Sequence, residues 1–300
     1  MTALSVQQIS KRYKAITALQ NVSFDVPEGS IFGILGPNGS GKTTLLGIVT
    51  DVLKADAGTC SLFNQPITAQ LRKQTGSLLE TPNFYPYLSA RKNLEISAAI
   101  KGCNASTIDE SLKRVDLYNR RYDKFSTFSL GMKQRLAIAA ALLGSPSLLI
   151  FDEPTNGLDP NGIADIRDLI KNIAAEGKTI VMASHLLDEV EKVCTHVAIL
   201  KKGILLAYGD VTGLLKTGSS IELSAENLPQ LKDVLTRFKN NISVEEKENM
   251  LLLHDESEEI SLSELNKYCF ENGVTLTHLS IRKKALETKF LEITNQQNNE

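Results

Sequence analysis

The chain has no tryptophan, only four cysteines and no run of about 18 or more apolar residues. Without a long apolar run it is not expected to cross a bilayer by itself, so any membrane role must come through a partner. The opening MTALSVQQISKRY lacks the long apolar region of a signal peptide. Cys60, Cys103, Cys194 and Cys269 are scattered, with neither a CxxC pair nor a histidine at zinc-ligand spacing. They read as reduced thiols of a cytosolic protein, several of them buried. An excess of one charge is lacking too: 33 Lys and Arg against 35 Asp and Glu leave a net charge of -2, which gives no sign of a nucleic-acid partner. The 300 residues, 42% hydrophobic and 23% charged, suffice for one large or two modest globular domains.

The most informative stretch is GPNGSGKT: Gly36, Pro37, Asn38, Gly39, Ser40, Gly41, Lys42 and Thr43, followed by Thr44. The apolar run Ile31 to Leu35 leads in, and a helical pattern with Leu45, Leu46, Ile48 and Val49 leads out. Glycines at 36, 39 and 41 let the backbone turn successive N–H groups toward an anion, and the following helix adds its positive end. Lys42 is then expected on the β- and γ-phosphates of a nucleotide such as ATP, and the Thr43 hydroxyl on Mg²⁺.

Leu4 to Ile9 and Val22 to Val26 read as strands, separated by a turn around Ala15 and closed at Pro27-Glu28-Gly29. Tyr13, between them, is either an aromatic face for a purine base or a half-buried core residue. Further on, Gly58 to Phe63 and Ser77 to Leu79 read as short strands. Glu80 to Leu88 contains two prolines and cannot be regular structure. Its aromatics Phe84, Tyr85 and Tyr87 either pack inward or form a contact site for another chain. Ala90 to Ile100 and Ile108 to Leu117 have helical periodicity, which predicts a small helical insertion. Ser129 precedes another long helical pattern, where its oxygen either caps the helix or faces an anion.

Leu148 to Glu153, LLIFDE, reads as a buried strand ending in two carboxylates. Such a strand places a carboxylate beside Mg²⁺ when it lies parallel to, and next to, the strand of the phosphate loop. Asp152 is the Mg²⁺-side candidate and Glu153 the general base for an attacking water. Asn156-Gly157-Leu158-Asp159 forms a turn, and Pro160 suits the first position of a helix through Ile163, Ile166, Leu169 and Ile170. Thr179 to Ser184 is a second buried strand and ends at His185, which we favour as a γ-phosphate contact over a structural histidine.

His196 to Leu200 and Ile204 to Tyr208 read as a hairpin, and Val211 to Lys216 as a short helix. Beyond residue 215 the pattern becomes β-α-β-β-α-β, the ferredoxin-like split βαβ order. This predicts a small α+β accessory domain at 216–293, its last helix Lys283 to Ile293, and a disordered tail at 294–300. With no nucleophile, metal cluster or glycine loop, it is expected to regulate, dimerise or contact a partner.

Taken in order, GPNGSGKT, FSLGMKQR, LLIFDE, NGLD and SH resemble the nucleotide-binding subunit of ATP-binding cassette (ABC) transporters over residues 1–215. The resemblance implies a phosphate-loop α/β core with an antiparallel β subdomain and a helical subdomain at about 80–146. It implies ATP and Mg²⁺ as cofactors, a homodimer or heterodimer of ATPase subunits closing head to tail on ATP, and a separate integral membrane permease. It places Tyr13 at the adenine, Lys42 and Thr43 at phosphate and Mg²⁺, Asp152 at the metal and Glu153 at the base. Asp159 and His185 fall at the family's loop and switch positions, and the protein is expected to be cytoplasmic, peripheral on the membrane.

Two departures stand out. The usual LSGGQ is Phe128-Ser129-Leu130-Gly131-Met132 here, keeping Ser129 and Gly131 toward the γ-phosphate, and the expected Q-loop glutamine is Glu80. With SARKNL, these look like the bacitracin and lantibiotic self-protection exporters. The alternative is a soluble cassette ATPase acting on ribosomes or DNA. The ribosomal type usually carries two cassettes and the DNA-repair type a long coiled coil, and this chain has one cassette and no heptads.

Overall fold

A computed structural model describes residues 1–79, 83–216, 220–238, 242–247, 250–255 and 260–282. Glu80, the helix expected at 283–293 and the tail at 294–300 lie outside the described residues. The chain divides into two compact units, Met1–Gly209 and Asp210–Glu300.

The first unit opens with a long hairpin, β1 (Thr2–Tyr13) and β2 (Ile16–Pro27), antiparallel with Leu4 opposite Val26 and Val6 opposite Phe24. Inward positions carry Leu4, Val6, Ile9, Leu19, Val22, Phe24 and Val26, all buried, the alternation expected of a sheet with one wet face. β3 (Ile31–Leu35) leads to α1 (Lys42–Val49), then β4 (Ala57–Leu62), β5 (Gln65–Pro66), α2 (Ala69–Lys73) and β6 (Thr75–Leu78). Next come the helices α3 (Ala90–Lys101), α4 (Ser106–Arg114) and α5 (Leu130–Leu142). β7 (Leu148–Asp152), α6 (Pro160–Ala175), β8 (Thr179–Ser184), α7 (Leu187–Val193), β9 (His196–Lys201) and β10 (Ile204–Asp210) complete it.

Two sheets result, β2-β1-β4-β5 and β10-β9-β3-β8-β7-β6. In the second, β9, β3, β8, β7 and β6 run parallel. Every residue of β3, β7 and β8 is buried, as expected when helices cover both faces of a parallel sheet. α1 lies in the core that joins the sheets, with Leu45, Leu46 and Val49 clustered with Leu4, Phe24 and Phe32. Each such side chain contributes about 1.5–3 kcal/mol by leaving water, so the helix that follows the glycine loop is anchored by the whole unit.

One expectation needs correction. The strand that ends in Asp152 is not the neighbour of the phosphate-loop strand, because β8 lies between β3 and β7. Asp152 pairs in register with Ala183, and Leu35 with Ser184 on the other side of β8. The ends of all three strands therefore converge at one edge, with β8 in the middle. The short elements β5, α2 and α7 were not anticipated, and the strand expected at Ser77–Leu79 runs from Thr75 to Leu78.

α5 packs on α3, α4 and β6. At its C-terminus Lys101 Nζ donates to the carbonyls of Ala140 and Ala141, each at 2.9 Å, satisfying acceptors that the helix leaves open. Burial lowers the pKa of that ammonium to about 8. Beside it Gly76 of β6 lies directly beneath the helix, where an added Cβ would stand 2.2 Å from the Ala141 carbonyl oxygen.

In the second unit, α8 (Val211–Lys216) is followed by β11 (Ser220–Ala225), α9 (Leu228–Thr236), β12 (Ile242–Lys247), β13 (Met250–Asp255), α10 (Leu262–Glu271) and β14 (Leu276–Arg282). The expected boundary at 215/216 falls inside α8. The sheet order is β12-β13-β11-β14, with every pair antiparallel. β11 and β12 flank β13, which is the split βαβ topology. Leu223, Leu231, Leu235, Leu251, Leu253 and Leu265 form its separate core.

The close approach at Gly76 is testable. Gly76→Ala drives a methyl into backbone that has nowhere to move, and overpacking of this kind costs about 1–3 kcal/mol. A thermal melt of the full chain should show a lowered midpoint.

Candidate functional site

The loop between β3 and α1 is shaped by its glycines and by what presses on it. Gly39 and Gly41 hold φ of +78° and +104°, values that residues with a Cβ avoid. A Cβ on Gly41 would also lie 2.5 Å from the Ala18 carbonyl oxygen. The loop is backed by the β9–β10 turn, where Gly203 N–H donates to the Ser40 carbonyl (3.0 Å) and Gln20 N–H to the Gly203 carbonyl (2.8 Å). Gly41 caps α1 without any side-chain acceptor, so the first-turn N–H groups are left facing an anion. Ser40 Oγ is buried and makes no hydrogen bond. Pro37, Asn38, Gly39 and Thr43 are exposed, and Thr44 is half-buried.

Lys42 is only 6% exposed. Its ammonium donates to the carbonyls of Gly36 (2.8 Å) and Pro37 (3.3 Å) and lies 3.3 Å from Glu153 Oε1. Glu153 follows the last residue of β7 at φ +48°, and its N–H donates to the Ala183 carbonyl at 3.1 Å. This turn swings the Glu153 side chain away from the strand's alternation. Its second oxygen, Oε2, accepts from His185 Nδ1 at 2.8 Å. A carboxylate offers only lone pairs, so this contact places the ring proton on Nδ1. Glu153, at the end of β7, thus touches both Lys42 at the start of α1 and His185 just past the end of β8. Asp152, 3% exposed, closes β7 beside them.

The other expected residues gather elsewhere. Ser129, Leu130, Gly131 and Met132 line a cleft of about 680 Å³ with Gly157, Leu158 and Asp159, and none of Lys42, Glu153 or His185 reaches it. Ser129 is the N-cap of α5, its Oγ accepting from Met132 N–H at 3.3 Å. Asp159 caps α6 in the same way, accepting from Gly162 N–H at 3.0 Å. Leu130, in place of the signature's first glycine, is 46% exposed, and its Cδ2 lies 3.2 Å from where a Cβ on Gly157 would stand. Tyr13 sits at the turn end of the β1–β2 hairpin, 43% exposed, with the Lys11 ammonium 5.6 Å from its ring centre. The aromatic loop divides: Phe84 packs edge-on against Phe125 at 5.3 Å, whereas Tyr85 and Tyr87 are 50% and 65% exposed.

Sequence reading missed a buried carboxylate behind the site. Glu189 of α7 accepts at Oε2 from Thr155 Oγ1 (2.7 Å) and Ser184 Oγ (3.0 Å). The signal was present: within LDEVEKV, Glu189 stands beside Val190 and four residues, one helical turn, before Val193, on an otherwise apolar face.

A glycine loop on a helix N-terminus, a lysine within it and acidic and histidine strand ends at the same edge define a phosphate-loop nucleotide hydrolase. The family model "ABC transporter" matches residues 19–156. The bacitracin transport ATP-binding protein BcrA of Bacillus licheniformis is 35% identical over 97% of this chain and 97% of its own length. The lantibiotic transport ATP-binding protein SrtF of Streptococcus pyogenes is 36% identical over 81% of this chain and 99% of its own. A solved dimeric cassette, MJ0796 in a post-hydrolysis state bound to ADP and Pi, superposes with a TM-score of 0.63 and 28% identity, covering 69% of this chain and 98% of that one. The chain belongs to the ABC transporter family, as an ATP-binding subunit with the ATPase cassette fold. Nothing in these likenesses supports a ribosomal or DNA-directed role.

Lys42 places a buried ammonium within the glycine loop, so Lys42→Met should weaken ATP binding about tenfold or more, the scale of losing a hydrogen bond to a charged group. Titration with a fluorescent ATP analogue measures it.

Proposed function

We propose that this subunit hydrolyses ATP through Glu153 and drives a separate membrane permease that exports a peptide antibiotic or similar drug. The observation that carries the chemistry is the Glu153 carboxylate, held by Lys42 on one oxygen and His185 on the other. Thr43 and Asp152 supply the hard oxygens that suit Mg²⁺, which when bound would neutralise phosphate charge. The N–H groups of residues 41–44 and the Lys42 ammonium hold the β- and γ-phosphates. Glu153 accepts a proton from the attacking water, and His185, its Nδ1–H committed to Glu153, has Nε2 left for the γ-phosphate, which it contacts as a donor when that nitrogen also carries a proton. Tyr13 offers its exposed face to the adenine.

The separation of the residues into two groups supports a dimer that closes on nucleotide. Ser129, Gly131 and Asp159 belong to a cleft apart from Lys42 and Glu153, so in this reading each ATP is completed by the partner subunit's signature motif. Two copies of this chain or two related chains would serve. Among the described residues no helix is long and apolar enough to cross a membrane, and we assign the membrane contact to the permease, with Tyr85 and Tyr87 as the docking aromatics. Their turn is held out by Asn93, which is 1% exposed. Its Oδ1 accepts from Tyr85 N–H at 2.8 Å, and its Nδ2 donates to the carbonyls of Tyr85 and Ser89, both at 3.1 Å. The full-length likeness to bacitracin and lantibiotic subunits supports export of such compounds. Glu80 takes the Q-loop position in this scheme.

Two results follow. Glu153→Gln should hydrolyse ATP about 10² to 10⁴ times more slowly, and bind it at least as tightly because the Lys42 ammonium is released from an ion pair. Phosphate release and analogue titration measure both, and hydrolysis at the parent rate would end the base assignment. Affinity purification from detergent-solubilised membranes should recover a polytopic permease, and cysteines placed at 85 or 87 should crosslink to it. Recovery of ribosomes instead would overturn the transport reading.

A further inference from the structure

The turn that carries the base and the turn that carries the switch histidine are joined twice. The first link is the direct contact of Glu153 with His185. The second runs behind it through a side chain that touches neither. Glu189 is 4% exposed, and its Oε2 receives hydrogen bonds from Thr155 Oγ1 at 2.7 Å and Ser184 Oγ at 3.0 Å. Thr155 lies two residues after Glu153, and Ser184 immediately before His185. Ser184 Oγ also accepts from Leu186 N–H at 3.0 Å, so the backbone on both sides of His185 is tied to the same carboxylate. The other oxygen, Oε1, is buried and makes no hydrogen bond.

A half-satisfied buried carboxylate is costly to keep. If α7 needed only to pack on the sheet, an apolar residue beside Val190 and Val193 would do so at lower cost. What a carboxylate supplies is a strong acceptor for two hydroxyls from separate strand ends, each such bond being short and directional. We propose that Glu189 is a positioning residue for hydrolysis. It fixes the Glu153 turn and the His185 turn relative to each other, so that the base and the imidazole meet the reacting water and γ-phosphate in a single geometry. This rests on the roles of Glu153 and His185 given above. Glu189 itself touches no reacting atom.

The position of the tie explains why it lies on α7. Glu153 is displaced out of β7 by its positive φ, its N–H donating to the Ala183 carbonyl and its own carbonyl accepting from Asn156 N–H, each at 3.1 Å. Its carboxylate is shared between Lys42 and His185, so its placement depends on where the two strand-end turns stand, and a misplacement of about 1 Å at a reacting group costs on the order of a hundredfold in rate. A helix packed against β3 and β8 is a rigid base from which to hold that turn, and Glu189 reaches from it to both strand ends.

The test compares four full-length variants, Glu189→Leu, Glu189→Gln, Glu153→Gln and the double variant Glu189→Leu/Glu153→Gln. Each is read for kcat by phosphate release and for ATP affinity by analogue titration. Glu189→Leu should lower kcat about tenfold or more while the dissociation constant for ATP stays within about twofold. Glu189→Gln, whose amide oxygen still accepts from both hydroxyls, should recover most of that rate. In the Glu153→Gln background the further loss from Glu189→Leu should be under about threefold, because the group being positioned is gone. If kcat and affinity fall together, or if the losses multiply in the double variant, Glu189 is scaffold alone and the proposal fails. If Glu189→Leu does not fold, Ser184→Ala and Thr155→Val each remove one donor and carry the same reading, a fall in kcat of about threefold or more at constant affinity. No fall in either overturns it. Parent-rate hydrolysis by Glu153→Gln would instead remove the base assignment beneath it, an outcome separable from a dead Glu153→Gln with a fully active Glu189→Leu.

Discussion

A single carboxylate with a hydrogen-bond donor on each oxygen sets the geometry of the catalytic edge. Glu153 meets Lys42 at 3.3 Å and His185 at 2.8 Å, which brings together the ends of β7 and β8 and the start of the helix that follows β3. For the contacts to form at all, β8 must lie between β3 and β7. It must also end in register with both, and the glycine loop must turn back far enough to bring its lysine over the β7 end. Each condition depends on a different part of the unit. Register is set by the buried apolar runs of the strands. The loop's shape is set by Ala18 and Gly203 pressing on Gly41 and Ser40 from the hairpins. The position of α1 is set by a core that draws side chains from both sheets.

Much of this was legible because the chemistry demands local patterns. A loop that wraps an anion needs small residues with free N–H groups, which requires glycine at fixed offsets. A fully buried parallel strand must be apolar end to end, so a terminal acid stands out in the sequence. LLIFDE and TIVMASH are conspicuous for that reason. The order of strands is a different matter. Whether β7 or β8 neighbours β3 is decided by how α6 crosses over the sheet, and nothing inside either strand records it. The expected adjacency of β7 and β3 failed there. α2 and β5, of five and two residues, are too short for periodicity to declare them.

Ser129, read as a cap or an anion contact, caps α5 and stays exposed in the cleft with Asp159. The aromatic loop, read as core or as contact surface, divides: Phe84 turns onto Phe125 while the two tyrosines stay exposed. Glu189 escaped notice because α7 was not anticipated and Asp188, Glu189, Glu191 and Lys192 read together as a solvated stretch; its place against Val190 and Val193 is what marks it out.

The helix α5 is held unequally at its two ends. Its C-terminal carbonyls are gripped by Lys101 and rest on the bare backbone of Gly76, whereas its N-terminus carries the exposed Ser129. At about 1.5 Å of rise per residue its thirteen residues make a rod of about 20 Å. Such a rod is a lever with its fulcrum at β6. A tilt of about five degrees at the fulcrum moves the serine end by about 2 Å, which separates a hydrogen bond made from one broken.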